Sequence, residues 1–273
     1  MSAPGPGTAA RGDGQASVPE GLVSAVVNLV NTGPVLLGAY TIAELTAVDA
    51  VVDFLETRPS DEVLAEAVRS LAARQLLVTG GAGHDGKADG APARNADGQQ
   101  VQVRGDLGIA VTFQQRARVV LDARVTGTKP GEPWRILLLP QPEQICLQFR
   151  IDALGIHQVG LYQLTEALSA LAEWLPRGSR ADSDDAADGA DADRLLAEAE
   201  RAALLTVTRY TAQGSAETAT GTTDLILARK DDRLHVLTRD ESDRSRLVPH
   251  PQKEKEVPGL LTDLLGVSAQ PAS

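Results

Sequence analysis

Apolar positions recur along this chain at two periods, and the change from one to the other divides it. From residue 20 to 75 the spacing is helical. "GLVSAVVNLVN" sets Leu22, Val26, Leu29 and Val30 near one face, and "TIAELTAVDAVVDFLET" brings Ile42, Leu45, Val48, Val52 and Leu55 back at helical steps. The second run opens with Thr41 three residues before Glu44, the spacing at which a hydroxyl and a carboxylate satisfy each other's helix-end amides. Ser60 opens a third run, "SDEVLAEAVRSLAARQLLV", with Val63, Leu64, Ala67, Val68 and Leu71 along a face. "QQVQV" then alternates as a short strand, and Gly105-Asp106 predicts a helix over 107–114.

Beyond these the period falls to two. "RARVVLDARVTG", "EPWRILLLPQP" and "EQICLQFRI" read as three strands, with Gln141-Pro142 turning the chain between the last two. "LTEALSALAEWLP" follows as an amphipathic helix carrying Leu164, Leu168, Leu171 and Leu175, and stops at Pro176. After an interruption the order repeats: a helix in "DRLLAEAERA", strands in "ALLTVTRYTAQG", "TTDLILARK" and "DRLHVLTRD", and a closing helix in "VPGLLTDLLGV". Lys230-Asp231-Asp232 is the expected hairpin turn. The fold class is therefore α+β. Two related halves, each a mostly antiparallel three-stranded sheet unit with flanking helices, follow an N-terminal helical region with a winged-helix-like order of elements.

Composition draws the boundaries. Residues 1–18 and 267–273 read as disordered tails, and 80–99 as a Gly-rich flexible loop within a first half spanning 19–176. The segment 177–193 carries six aspartates and no large apolar residue, so it is an acidic linker before a second unit over 194–266. Aromatics make up 3% of the 273 residues, so the core has to be Leu, Val and Ala packing. A net charge of -11 repels phosphate backbones and makes nucleic acid an unlikely partner. One cysteine, Cys146, permits no internal disulfide and fits a reducing compartment. With no export signal and no apolar run of membrane-spanning length, the expectation is a cytoplasmic protein.

Gly81 to Lys87 has the spacing of a phosphate-binding loop. However, Ala88 stands where a Mg²⁺-holding hydroxyl belongs, and Gly90 and Pro92 deny the helix whose amides would face the phosphates. The histidines His84, His157, His235 and His250 are scattered, and "DSDDAADGADAD" lacks the closing Glu of a calcium loop, so no metal is expected. Cys146 lies in a strand-like apolar alternation, which suits packing better than nucleophilic attack. No acid–base pair stands out. The reading is non-enzymatic, with no cofactor and no catalytic residue. The winged-helix order leaves a DNA-binding regulator as an alternative, with Arg69 and Arg74 as the basic residues of its recognition helix and Asp61, Glu62 and Glu66 against it. A protein-interaction module of unknown pathway is a further alternative.

A helical entry ending in "LAEAVRSLAARQLLV", then "GDL" opening a short helix, then two successive sheet-and-helix halves, resembles the EspG family over residues 40–266. These are cytosolic chaperones of type VII (ESX) secretion systems, and the resemblance also rests on the actinobacterial source that the Arg-over-Lys and Ala/Gly bias suggests. It implies a chaperone or adaptor that keeps helical substrates of PE/PPE-like or WXG100 type soluble before export, without catalysis. The helix at 20–31, the excursion at 80–99 and the short second half depart from the family. The residues themselves point to the most apolar hairpin, "RILLLPQPEQICLQF", where Leu137, Leu138, Leu139, Gln141, Leu147 and Phe149 are the candidate partner-binding positions. Three consecutive leucines cannot share one side of a strand. Either helices cover both faces of that hairpin, or part of one face is a docking surface.

Overall fold

The chain is described from a computed structural model over residues 20–48, 59–79, 91–94, 100–178, 191–213, 216–240, 242–243 and 245–266. The N-terminal region contains α1 (Glu20–Val30), β1 (Val35–Thr41), α2 (Ile42–Ala47) and α3 (Asp61–Ala73). Next come β2 (Leu77–Thr79), β3 (Ala91–Arg94), β4 (Gln100–Val103) and α4 (Gly105–Arg116). The first repeat holds β5 (Val119–Val125), β6 (Arg135–Pro140), β7 (Ile145–Ile151), β8 (Ile156–Gln163) and α5 (Leu164–Trp174). The second holds α6 (Ala192–Ala197), β9 (Arg201–Gln213), β10 (Ala216–Lys230), β11 (Arg233–Arg239), β12 (Leu247–Gln252) and α7 (Val257–Leu265).

The α+β class holds, with one correction. Each half contributes four strands rather than three, because "IHQVGLYQ" and "LVPHPQ" complete the two meanders. Both are weak strand signals: the first mixes glycine and glutamine into its apolar positions, and the second carries two prolines. β1 is a further strand within a stretch whose pattern reads as helical. The expected 80–99 loop contains β3, which pairs with β4, while 80–90 and 95–99 lie outside the described residues. The expected tails and most of the acidic linker lie outside them too, and α6 starts at Ala192, inside the linker as drawn.

Nine strands form one antiparallel sheet in the order β1-β8-β7-β6-β5-β9-β10-β11-β12. The first strands of the two meanders, β5 and β9, pair antiparallel from Val119↔Arg209 to Val125↔Ala203. The halves are thus related about the β5–β9 seam, and α5 and α7 each follow the last strand of their own meander. Both helices pack on the same face. There Leu164, Leu168, Leu171, Val257, Leu261 and Leu265 close over Leu121, Ala123, Leu138, Leu205, Leu227 and Val236. On the opposite face α1 and α4 cover the first half, with Phe113 and Leu107 in one cluster with Leu137, Leu139, Leu147, Phe149 and Leu161. This resolves the leucine run. Leu138 belongs to the α5/α7 cluster, while Leu137 and Leu139 belong to the α1/α4 cluster.

The turns follow their residues. Asp231 and Asp232 both take positive φ, at 51° and 61°, as a two-residue hairpin turn requires. Thr41 and Glu44 cap α2 reciprocally, as their spacing predicts, and Gly266 closes α7 in the left-handed region. At the bulge in β1, Gly38 sits at φ 131°, and a side chain there would meet the Tyr40 hydroxyl at 2.8 Å.

Both ends of the sheet are closed to further strands. Asp240 N donates to Arg246 O, which fixes the even-numbered residues of β12 toward β11 and turns Pro249 and Pro251 outward, where they offer no N–H. On β1, side chains take the main-chain groups instead. The Tyr40 hydroxyl donates to Leu37 O at 2.8 Å, Arg74 Nη2 to Ala39 O at 3.5 Å, and Thr41 N to the Glu44 carboxylate at 2.9 Å.

Leu138 is fully buried beneath the paired helices. Leu138→Ala is expected to cost about 2–5 kcal/mol, read as a lowered midpoint in chemical denaturation.

Candidate interaction surface

The six residues expected to bind a partner are all inside. Leu137, Leu138, Leu139, Leu147 and Phe149 are at most 1% exposed and Gln141 4%, so none offers surface, and the first of the two readings of that hairpin, coverage on both faces, describes it. Gln141 anchors the β6–β7 turn to α4, its Nε2 donating to Phe113 O and Leu139 O. Cys146 is likewise enclosed, and burial pushes its thiol up to about 12, which rules out a ready thiolate.

Among the described residues, an exposed part of the sheet lies on the face opposite α5 and α7. There α1 and α4 cover the first half, and α6 covers Ala228 and Leu237 of the second. Between them β5, β9 and the adjoining part of β10 present Asp122, Arg124, Leu204, Thr206, Thr208, Thr222 and Asp224, which are half-buried or exposed. Register places these in rows: Arg124 beside Leu204 beside Ile226, then Asp122 beside Thr206 beside Asp224, then Thr208 beside Thr222. Leu204 is 39% exposed. Three strands span two spacings, roughly 10 Å, which matches the diameter of one α-helix. Sequence patterning did not single out this strip because its alternation, apolar on one side and threonine or charge on the other, is what any half-buried strand shows.

Ion pairs frame Leu204. Arg135, 9% exposed, grips Asp122 with two nitrogens at 2.8 Å each, and Arg124 reaches the same carboxylate at 3.0 Å. Arg239 pairs with Asp224 at 3.4 Å. In the same row as Arg135, beyond Ile151, lies buried His157, whose Nδ1 donates to Gly155 O at 3.0 Å. Burial lowers its pKa, and nearby Arg135 lowers it further, against the opposing pull of the Gly155 carbonyl and Asp152.

The N-terminal region has its own charge arrangement. Glu44 is 5% exposed and accepts from Thr41 N, from the Ser70 hydroxyl at 2.8 Å and from Arg74 at 3.0 Å. Burial alone would raise its carboxyl, but these partners outweigh it and hold the pKa below the ordinary value. Arg74 also lies over the Tyr40 ring, 5.2 Å from its centre, so α2, α3 and β1 are tied at one point. Arg69 pairs with Glu66 on the exposed side of α3. Both arginines that a DNA-reading helix would need are therefore engaged by carboxylates.

Among the described residues no group of three or more His, Cys, Asp or Glu side chains is placed to hold a metal, and no helix is long and apolar enough to cross a membrane. Compared with known proteins, the chain matches no family model and no curated sequence.

His157 and Glu44 are expected to make stability fall in acid in two steps. Each has a folded pKa below its ordinary value, so its contribution is complete above that value and lost as pH falls through the folded one. Thermal melting is expected to weaken first below pH 6.5 through His157, and again below 4.5 through Glu44. His157→Gln is expected to flatten the first step and leave the second.

Proposed function

We propose that the chain is a non-enzymatic binding protein of the EspG type, holding a helical type VII secretion substrate soluble in the cytoplasm before export. The observation that carries this is the uncovered strip over the β5–β9 seam. It is one helix wide, with an apolar anchor at Leu204 between ion-paired Asp122–Arg124 and Asp224–Arg239. Such a floor suits an amphipathic helix that presents one apolar side chain between polar neighbours. The duplicated sheet-and-helix plan on which the EspG resemblance rests supports the same reading. Co-expression with a helical-hairpin substrate of PE/PPE-like or WXG100 type is expected to give a soluble one-to-one complex. Leu204→Arg is expected to weaken it by about tenfold or more, since it places a charge where the anchor docks. A substrate that stays insoluble, with no complex on gel filtration, overturns the proposal.

The order α2-α3-β2-β3-β4 favours a second reading, a winged-helix regulator. Its helix α3 begins Asp61-Glu62 and its arginines are paired, so the charge opposes a phosphate backbone. That reading requires salt-sensitive mobility shifts with promoter DNA that vanish in Arg69→Glu with Arg74→Glu. The expected outcome is no shift even at low salt.

A further inference from the structure

On the α5 side of the sheet, the corner formed by β7, β8 and β1 is open. Cross-strand pairing fixes which side chains lie there. Leu138 and Ile136, members of the α5/α7 cluster, stand opposite Gln148 and Arg150 of β7. These stand opposite Gly160 and Gln158 of β8, which face Leu36 and Ala39 of β1. Residues paired across antiparallel strands share a sheet face, so the side chains form two rows beside α5. The bulge in β1 leaves this intact, because Val35, Leu37 and Tyr40 all pack into the α1/α4 cluster on the other face. Leu36 is 74% exposed, and Ala39, Gln158 and Arg150 are exposed as well. Trp134 is exposed just before β6, and its Nε1 donates to Asp152 O in the β7–β8 turn, where Leu154 is exposed too. Three of the six large apolar side chains exposed among the described residues thus lie on or beside these strands.

The polar groups of this corner have no partner among the described residues. Gln148 is 3% exposed yet makes no hydrogen bond. The same holds for the Gln158 amide and for the hydroxyl of Tyr162, whose ring lies against Gly160, where a Cβ would meet its Cε2 at 2.9 Å. Arg150 holds no carboxylate, whereas Arg124 and Arg135 on the other face share Asp122. A buried amide left unbonded is destabilising until a partner supplies what it lacks. An unpaired guanidinium beside exposed leucine, on a chain of net charge -11, calls for a carboxylate. We propose that this corner binds an amphipathic helix of a partner protein, which lies beside α5 and sets an aspartate or glutamate, flanked by apolar side chains, against Arg150. Three strands span roughly 10 Å, the width of one helix, so the partner's helix becomes the third member of the α7–α5 layer. The inference does not rest on the substrate-binding reading, because the Leu204 strip lies on the opposite face of the sheet.

A phage-displayed library of helix-forming peptides, panned against the full chain, tests it, with the affinities of enriched peptides read by fluorescence anisotropy. The expected result is an enriched class that carries Asp or Glu with apolar residues at helical spacing around it. Arg150→Glu is expected to weaken that class by about tenfold or more. A peptide of the class whose acid is replaced by lysine should bind Arg150→Glu better than it binds the unaltered chain. Leu36→Ser is expected to weaken the same peptides and Leu204→Arg to leave them unchanged, which separates this surface from the substrate strip. Should Arg150→Glu fail to fold by circular dichroism, Arg150→Gln is expected to weaken the peptides in the same direction. Absence of an acidic class, or equal affinity for the unaltered chain and the Arg150 variants, overturns the proposal. Binding to phosphatidylglycerol vesicles that Arg150→Glu abolishes also overturns it, since the arginine then serves a membrane surface.

Discussion

The antiparallel pairing of β5 with β9 is the constraint on which the rest of the molecule depends. It turns two meanders into one sheet, and it brings Leu121, Ala123, Leu205 and Val207 together on the face where α5 and α7 lie side by side. Neither half has a complete core without it. The α5/α7 cluster draws residues from both meanders, so the acidic stretch between them links two parts of one folded body. The uncovered strip on the other face is the same seam seen from behind, where the helices of the first half end and α6 has not yet begun.

Differences between the two halves arise from what is added to each. The first half receives α1, β1 and the small β2-β4-β3 sheet, so its last strand β8 is interior. In the second half β12 remains terminal, and two outward prolines replace the cover that β1 gives to β8. On β1 itself the same protection comes from Tyr40, Arg74 and Glu44, whose bonds also hold α3 in place. Edge protection and the docking of the N-terminal helices are thus one network, a buried carboxylate fully supplied with donors.

Much of this was legible in the residues. The Thr41/Glu44 cap and the Asp231-Asp232 turn depend on local chemistry and stand where the pattern placed them, while the repeated order of elements holds with one strand more in each half. The missed strands share a physical cause. β8 and β12 are held by pairing with β1, β7 and β11, so long-range hydrogen bonds override glycine, glutamine and proline within them. The candidate site failed for a related reason. Hydrophobicity ranks Leu137, Leu138 and Leu139 first, but the most apolar hairpin is also the one best covered by helices from elsewhere in the chain. Among the described residues no helix lies above Leu204, and no local pattern records that.

The seam also sets an order of events. Thr126 and Ala202, hydrogen-bonded at one end of it, lie 76 residues apart in sequence. On the ribosome the first meander and α5 emerge well before β9 and α7, so that face of its core is only partly covered. It has to wait for β9, and then for α7, before Leu138 and its neighbours are sealed from water. For that interval a nascent chain exposes apolar sheet surface that its folded form conceals.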